Sequence, residues 1–395
     1  MPGLRTVLFG AFVLGLGSSI SLAQIALAGL AALLGWRLVR DPAARREMRW
    51  PLLGPVATLT VATVASALAS RRPLESLLEG REVLLVAALF VTLDALRDRA
   101  DAERFVTALT VVTAGAALLG LLQVAVCPGP GAPAAWPRLL FGRCARARGP
   151  FSIYMTLAGV LTLALLVALP RLLPGTPGRR WLAPVWFTGL LGLVATFTRG
   201  AWLGFAAGAL TLGLLVRRGR LLVLAGLAAL ALAALLGPPE VRQRVLSIAD
   251  PWETTIRERL YIYQSGFRIW RDHPVLGTGP GEFARLYEAY AVPERIERRT
   301  SHLHNTPLQI VVERGLLALV GWAWLWVAFY RHTLGLLRRL PPARPRERAL
   351  VTGALAAITG FLVAGLSEYN FGDSEVAMVA WTIAALPWVV ARADQ

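Results

Sequence analysis

The sequence predicts an all-α polytopic membrane protein with about twelve transmembrane helices and one long outer loop containing amphipathic helices. Three observations lead there. Of 395 residues 56% are hydrophobic and only 16% charged, whereas a soluble domain carries about 25% charged residues. The apolar residues gather into runs near the ~20 residues that one spanning helix needs. The charges collect between those runs. This composition excludes a soluble enzyme, a disordered chain and a disulfide-built mini-domain.

Taken in order, the expected spans are 5–19, 21–37, 51–69, 81–96, 104–126, 151–169, 181–198, 200–216, 220–237, 307–330, 348–367 and 374–391. The first two form a hairpin hinged near Gly17-Ser18-Ser19. A signal peptide cut after Ser21-Leu22-Ala23 is the alternative, but a second apolar run follows at once. Residues 1–395 then make a single membrane domain, with 238–306 inserted as the long outer loop, periplasmic if the resemblance below holds, between helices nine and ten.

Orientation follows from arginine in the short loops. All 41 basic residues are arginine, against 24 acidic ones, a net charge of +17. With the N-terminus inside, the inner loops hold Arg37, Arg40, Arg45, Arg46, Arg49, Arg97, Arg99, Arg104, Arg171, Arg331, Arg338 and Arg339, among others. Two outer segments, 127–150 and 238–306, break the pattern with fourteen arginines. Long loops are exempt from the orientation rule, yet arginine there suits an anionic ligand, because the planar fork matches phosphate oxygens. Membrane lipid headgroups or a diphosphate fit. Nucleic acid does not, since no soluble basic domain is visible. Arg138, Arg143, Arg146 and Arg148 in the shorter segment could help draw in anionic lipid. The same segment holds both cysteines, Cys127 and Cys144. A disulfide between them suits an oxidising compartment, and two free thiols are an equal alternative.

In the long loop, residues 255–272 read as an amphipathic helix, with Ile256, Leu260, Tyr263, Phe267 and Trp270 stacked on one face. Arg257, Arg268 and Arg271 share one flank, and Arg259 lies on the other, beside the stripe. The plainer account of Arg259 is an arginine reaching out of an apolar surface to water. His273-Pro274 through Gly277-Thr278-Gly279-Pro280-Gly281 superficially suggests a nucleotide loop. No strand precedes it and no Gly-Lys-Ser/Thr follows, so a tight turn is the expectation.

Ser301-His302-Leu303-His304-Asn305-Thr306-Pro307-Leu308-Gln309 carries the most information. Thr306 and Gln309 have capping-box spacing and Pro307 suits the first helical position. His304 then sits just outside the N-terminus of a membrane helix, where free N–H groups attract phosphate oxygens, and a neutral imidazole there can accept a proton. Two histidines at this spacing also suggest a metal, but no third ligand is evident in the sequence, so no metal is expected. Arg199, in Thr198-Arg199-Gly200-Ala201-Trp202, interrupts an apolar stretch and is a site candidate on that ground. Binding to headgroups is its plainer account. Glu368 and Asp373 in the last outer turn could contact an acceptor or hold an arginine, with simple solvation as the plainer account.

These pieces in this order resemble the bacterial O-antigen ligase and polymerase superfamily. The resemblance rests on Thr198-Arg199-Gly200-Ala201-Trp202, on Arg259 fourteen residues before His273-Pro274 with Leu276-Gly277-Thr278-Gly279 following, and on His304-Asn305 before Leu308-Gln309. Arg148-Gly149-Pro150-Phe151 also looks similar, although Tyr154-Met155 replaces an expected Pro-Asn pair. The similarity spans roughly 120–315. It implies a GT-C-type glycosyltransferase of the bacterial inner membrane, with its active site on the periplasmic face. The donor would be an O-antigen polysaccharide on undecaprenyl diphosphate, and the acceptor a sugar hydroxyl of lipid A-core for a ligase. A polymerase would extend another O-antigen unit, and a protein O-oligosaccharyltransferase would modify Ser or Thr. Members of the last branch tend to be longer, which leans the expectation toward a ligase. A transporter of the same lipid is the rival class, but the sequence has no internal repeat.

The resemblance and the chemistry together assign diphosphate binding to Arg199 and Arg259 and proton removal, or orientation of the acceptor, to His304. Arg148, Arg268, His302, Glu368 and Asp373 are secondary candidates. The outer loops contain no Asp-x-Asp for a metal, so arginine forks would stabilise the leaving diphosphate. No cofactor is expected.

Overall fold

The computed structural model describes residues 2–126, 145–174, 181–216 and 219–392. Cys127, Cys144, Arg138 and Arg143 lie outside the described residues. Among the described residues every regular element is a helix. They are α1 (Pro2–Leu16), α2 (Ile20–Arg40), α3 (Pro42–Glu47), α4 (Leu53–Ala69), α5 (Pro73–Glu79), α6 (Ala87–Ala95), α7 (Arg99–Ala125), α8 (Tyr154–Ala168) and α9 (Leu182–Ala195). Then follow α10 (Arg199–Leu215), α11 (Arg220–Leu236), α12 (Pro239–Leu246), α13 (Thr254–Asp272), α14 (Phe283–Tyr290), α15 (Thr306–Arg339), α16 (Pro345–Ala364) and α17 (Ser374–Arg392).

Each expected span is helical, but their lengths differ. Among the described residues six helices are long and apolar enough to cross a membrane alone, or seven if α11 and α12, bent by 115°, form one broken span. Four more apolar helices are shorter, among them the 17-residue α4 and α10 and the 14-residue α9. Seventeen residues rise only ~25 Å, less than the ~30 Å hydrocarbon thickness. The segment expected at 81–96 divides into a 3-10 stretch, Gly80–Val86, and the nine-residue α6. The protein is therefore a polytopic helical membrane protein, with six or seven candidate long spans among the described residues.

The centre of the bundle is α8, α16 and α17, whose apolar side chains are buried nearly all round, while α2 is largely exposed on the periphery. Small residues bring α10 onto α16. A Cβ on Gly204 would stand 2.5 Å from the Gly360 carbonyl oxygen, so only glycine permits this approach.

The long helix α15 is broken at Gly315, where φ is 74° and ψ −179°. That backbone region is essentially reserved for glycine. The break frees polar backbone groups, and the segment 273–281 satisfies them. Thr278 N–H donates to Val312 O at 3.1 Å, Gly279 N–H to Glu313 O at 2.8 Å, and Leu316 N–H to Pro274 O at 3.2 Å. The Gly-rich stretch is the turn the sequence predicts, closing α13 toward α14, and it also plugs a broken membrane helix. Below the break's outer end, Arg314 pairs with Glu82 and donates to the Tyr369 hydroxyl at 2.9 Å.

Candidate functional site

The start of α15 is built differently from the capping box. The N-cap is Asn305, whose side chain accepts from Leu308 N–H at 3.0 Å. Thr306 and Pro307 are therefore the first and second helical residues. The Thr306 hydroxyl donates instead to the Glu368 carbonyl oxygen at 3.0 Å, and Gln309 turns back to accept from Leu303 N–H at 2.7 Å. The shift has a cause. Thr306 N–H is already spent on Gly365 O at 2.7 Å, which ties this helix start to the end of α16. The tie holds the 365–373 turn against the His-x-His segment.

Glu368 is the centre of what results. His302 Nε2 lies 3.0 Å and His304 Nδ1 3.1 Å from the same oxygen, Glu368 Oε1. Tyr369 N–H donates to that oxygen at 3.2 Å, and the Arg259 guanidinium stands 3.8 Å from Oε2. The side chain of Glu368 is 19% exposed, so it is not the solvated turn residue of the plainer account. Burial pushes its carboxyl up, but the hydrogen bonds and charge of His302 and His304 outweigh burial and hold it well below the usual carboxylate range. An ionised carboxylate only accepts. Both imidazole nitrogens facing it therefore carry hydrogen, so that in the neutral form of the His304 ring the lone pair lies on Nε2. Ser301 Oγ lies 2.8 Å from the other nitrogen of His302. His304 takes a left-handed conformation, φ 50°, and its carbonyl oxygen accepts from the Tyr263 hydroxyl at 3.2 Å.

Helix α13 delivers Tyr263 from the predicted stripe and Arg259 from beside it, but its fully buried residues lie off that stripe. Its protein-facing residues are Glu258, Ile262, Ser265, Gly266 and Ile269. Leu260 and Phe267 are exposed. The helix is apolar on two faces, one on α15 and one outward, as a helix lying at a membrane surface would be. Arg259 borders the packed face. Arg268 is exposed and makes no contact with the Glu368 cluster.

Arg199 is nine-tenths buried at the first turn of α10. Its guanidinium donates to Ser247 Oγ at 2.9 Å and Glu253 Oε2 at 3.1 Å. Glu253 also caps α13 by accepting from Ile256 N–H at 3.1 Å. Burial raises the Glu253 carboxyl, but Arg199, joined by the Thr255 hydroxyl and Ile256 N–H, outweighs burial and leaves it lowered. Arg199 thus meets the α13 helix at its start, two turns before Arg259, and its neighbour Gly200 lies against Ser367 beside Glu368. Arg199 touches neither Arg259 nor His304 directly. Arg148 is half-buried in a segment clamped to α7, where Gln123 bonds both the N–H and the C=O of Gly149 at 3.0 and 2.8 Å. Arg146 stacks on Tyr154 at 4.4 Å. Asp373 caps α17 by accepting from Val376 N–H, and it receives the Thr156 hydroxyl at 2.6 Å. Its position is that of a structural cap.

The sequence reading missed Glu253, Ser247 and Gln123, and it missed the Glu82–Arg314–Tyr369 knot. Glu313-Arg314 within the apolar run of α15 was the available signal for the last. It also found no third metal ligand, whereas His302, His304 and Glu368 place ligand atoms within 4.8 Å of one another, a group that could hold a metal ion. Two imidazoles and one carboxylate form a set that zinc accepts.

A protein-family model described as O-antigen ligase matches residues 184–323, and the match supports membership of the O-antigen ligase superfamily. It covers Arg199, Arg259, His302 and His304 and stops before Glu368. No curated protein matches the chain.

Proposed function

We propose that this chain, whose residues 184–323 match a family model described as O-antigen ligase, is an O-antigen ligase. It moves O-antigen polysaccharide from undecaprenyl diphosphate to a sugar hydroxyl of lipid A-core at the periplasmic face of the inner membrane, by an inverting, metal-independent, GT-C-type transfer. The observation that carries the reading is the shared oxygen of Glu368. It fixes one imidazole so that a basic nitrogen points away from the carboxylate, while an arginine waits on the other oxygen.

The roles follow from that arrangement. The acceptor hydroxyl meets His304 Nε2, which takes its proton as the oxygen attacks the anomeric carbon. The bond to the diphosphate oxygen breaks on the opposite side, which inverts the configuration. Glu368 stabilises the imidazolium as it forms, the role a carboxylate plays behind any base of this kind. Arg259 and Arg199 hold the departing diphosphate through charge-assisted forks. His302 shares Glu368 and fills the space beside His304, with ring centroids 4.2 Å apart.

Reconstitution of the purified protein with lipid-linked glycan and lipid A-core tests this. Product on lipid A marks a ligase, and a lengthened donor marks a polymerase. The His304→Ala variant should fold and lose transfer; near-normal transfer in that variant would reject the base assignment.

A further inference from the structure

At the end of the bundle opposite Glu368, about 28 Å away along the nineteen residues of α17, lies a cavity of about 690 Å³. It opens between α1, α2, α3, the end of α6 and the end of α17. Its charged lining is Arg5, Arg37, Arg40, Arg97 and Arg392 against Asp41, Glu47 and Asp94, a surplus of two positive charges. The acids do not neutralise these arginines evenly. Asp94 takes Arg37 at 2.6 Å and Arg5 at 3.2 Å, one on each oxygen. Asp41 is turned to its own helix start, accepting from Ala43 N–H at 2.9 Å. Arg392 spends one donor on Leu93 O at 3.0 Å and retains the rest of its fork. Arg40 lies over the exposed Trp36 ring at 4.4 Å, a pairing suited to the membrane interface.

A second recess of about 300 Å³ adjoins the first and shares Arg5 and Arg97 with it. This one is apolar. It runs between α1 and α7 from those arginines past Phe9, Gly10, Leu14 and Phe105 to Val112. From Arg5 to Leu14 is ~14 Å of helix, leading from the charged end along the bundle's outer face, where Gly10 and Leu14 are exposed. A cationic mouth joined to an apolar track has the two-part chemistry of an anionic lipid.

We propose that the cavity and the groove together hold one anionic phospholipid, its phosphate among Arg40, Arg97 and Arg392 and one acyl chain along the α1–α7 groove. The site is independent of the transfer chemistry proposed above, and it would bias which lipids surround the weakly buried α1–α2 hairpin. The phosphate could come from a lipid headgroup or from free phosphate, and the groove favours the lipid.

The test uses the full chain, delipidated in neutral detergent and titrated with phosphatidylglycerol, with phosphatidylcholine of the same acyl chains, and with inorganic phosphate. Bound lipid is read by native mass spectrometry and stability by thermal melting. Phosphatidylglycerol should bind one to one, at least about tenfold more tightly than phosphatidylcholine. The Arg40→Gln/Arg97→Gln variant should lose that preference, and Arg392→Gln should weaken it separately. Gly10→Leu should fold, because a Cβ there meets nothing within 4 Å, and should reduce lipid binding by filling the groove. Equal binding of the two lipids, or an undiminished preference in both arginine variants, overturns the proposal. Binding of inorganic phosphate alone, unaffected by Gly10→Leu, overturns its lipid part.

Discussion

Replacing Glu368 by Gln separates its role behind His304 from a role in folding. The carboxylate accepts from His302, His304 and Tyr369 N–H through one oxygen. A glutamine of the same shape keeps an acceptor but loses the charge. In the transition state the His304 ring becomes cationic 3.1 Å from that oxygen. At an effective dielectric constant of about 20, two unit charges at this distance attract by about 5 kcal/mol, and partial exposure lowers the usable part to about 3–5 kcal/mol. That is on the order of 10²–10⁴ in kcat. The donor KM should not rise, because Arg259 loses its carboxylate neighbour at 3.8 Å and meets a diphosphate more readily. The assay is transfer in detergent or nanodiscs with kcat and KM resolved, alongside thermal melting of the same sample. A variant melting normally with kcat within threefold of the parent would refute the tautomer argument. A variant that loses kcat and raises donor KM together would point to a general collapse of the turn.

Three other outcomes follow from the same geometry. Glu253→Gln removes the carboxylate now bound to Arg199 but keeps an oxygen to cap Ile256 N–H; a charge-assisted hydrogen bond of about 1.5–3 kcal/mol gives way to a neutral one of about 0.5–1.5 kcal/mol, and the difference of about 1–1.5 kcal/mol should lower donor KM about 5–13-fold, while a rise would mean that Glu253 positions Arg199 for the donor. Gly315→Ala must place a Cβ against Val275 O in a backbone region closed to alanine; it should cost at least about 1–3 kcal/mol, read as a lower melting temperature, and an unchanged melt would show that the 274–279 plug is not fixed to the break. A chelator should leave transfer intact, whereas micromolar zinc should inhibit it by seating on His302, His304 and Glu368; inhibition by the chelator itself would reverse the metal-free reading.

What the sequence made legible and what it hid divide along a physical line. Hydrophobic runs placed the membrane helices, because burial in lipid needs little more than apolar length. They could not tell α9 or α10 from a full span, since the length of a helix depends on where its backbone finds other partners, as at Phe197-Thr198 before Arg199. The amphipathic stripe on α13 identified the helix and included Tyr263 and Trp270, which meet the protein, but it took in the outward Leu260 and Phe267 and passed over Ser265 and Gly266, which are buried yet small and weakly apolar. Close approach selects small residues, and hydropathy is blind to them. The His-x-His segment was legible as a site because it stood at a helix start, but its charge partner lay 64 residues away.

That separation explains why Glu368 read as a solvated turn. Nothing local distinguishes a glutamate in Ser367-Glu368-Tyr369-Asn370; its function is conferred by the bonds that draw this turn onto α15, Thr306 N–H to Gly365 O and the Asn305 amide to Leu366 O. The same bonds displaced the helix cap from Thr306 to Asn305, so the misread cap and the misread glutamate have one cause. A turn held by backbone and amide contacts can exchange residues at little cost to the fold, except where one carboxylate serves two imidazoles. The matched segment ends at 323 and the carboxylate lies beyond it, so a search for relatives of this site should weigh an acidic residue in the last outer turn together with the His-x-His pair. Chains with the histidines and no such acid would need another way to fix the ring, and their transfer should then be insensitive to the residue at this place.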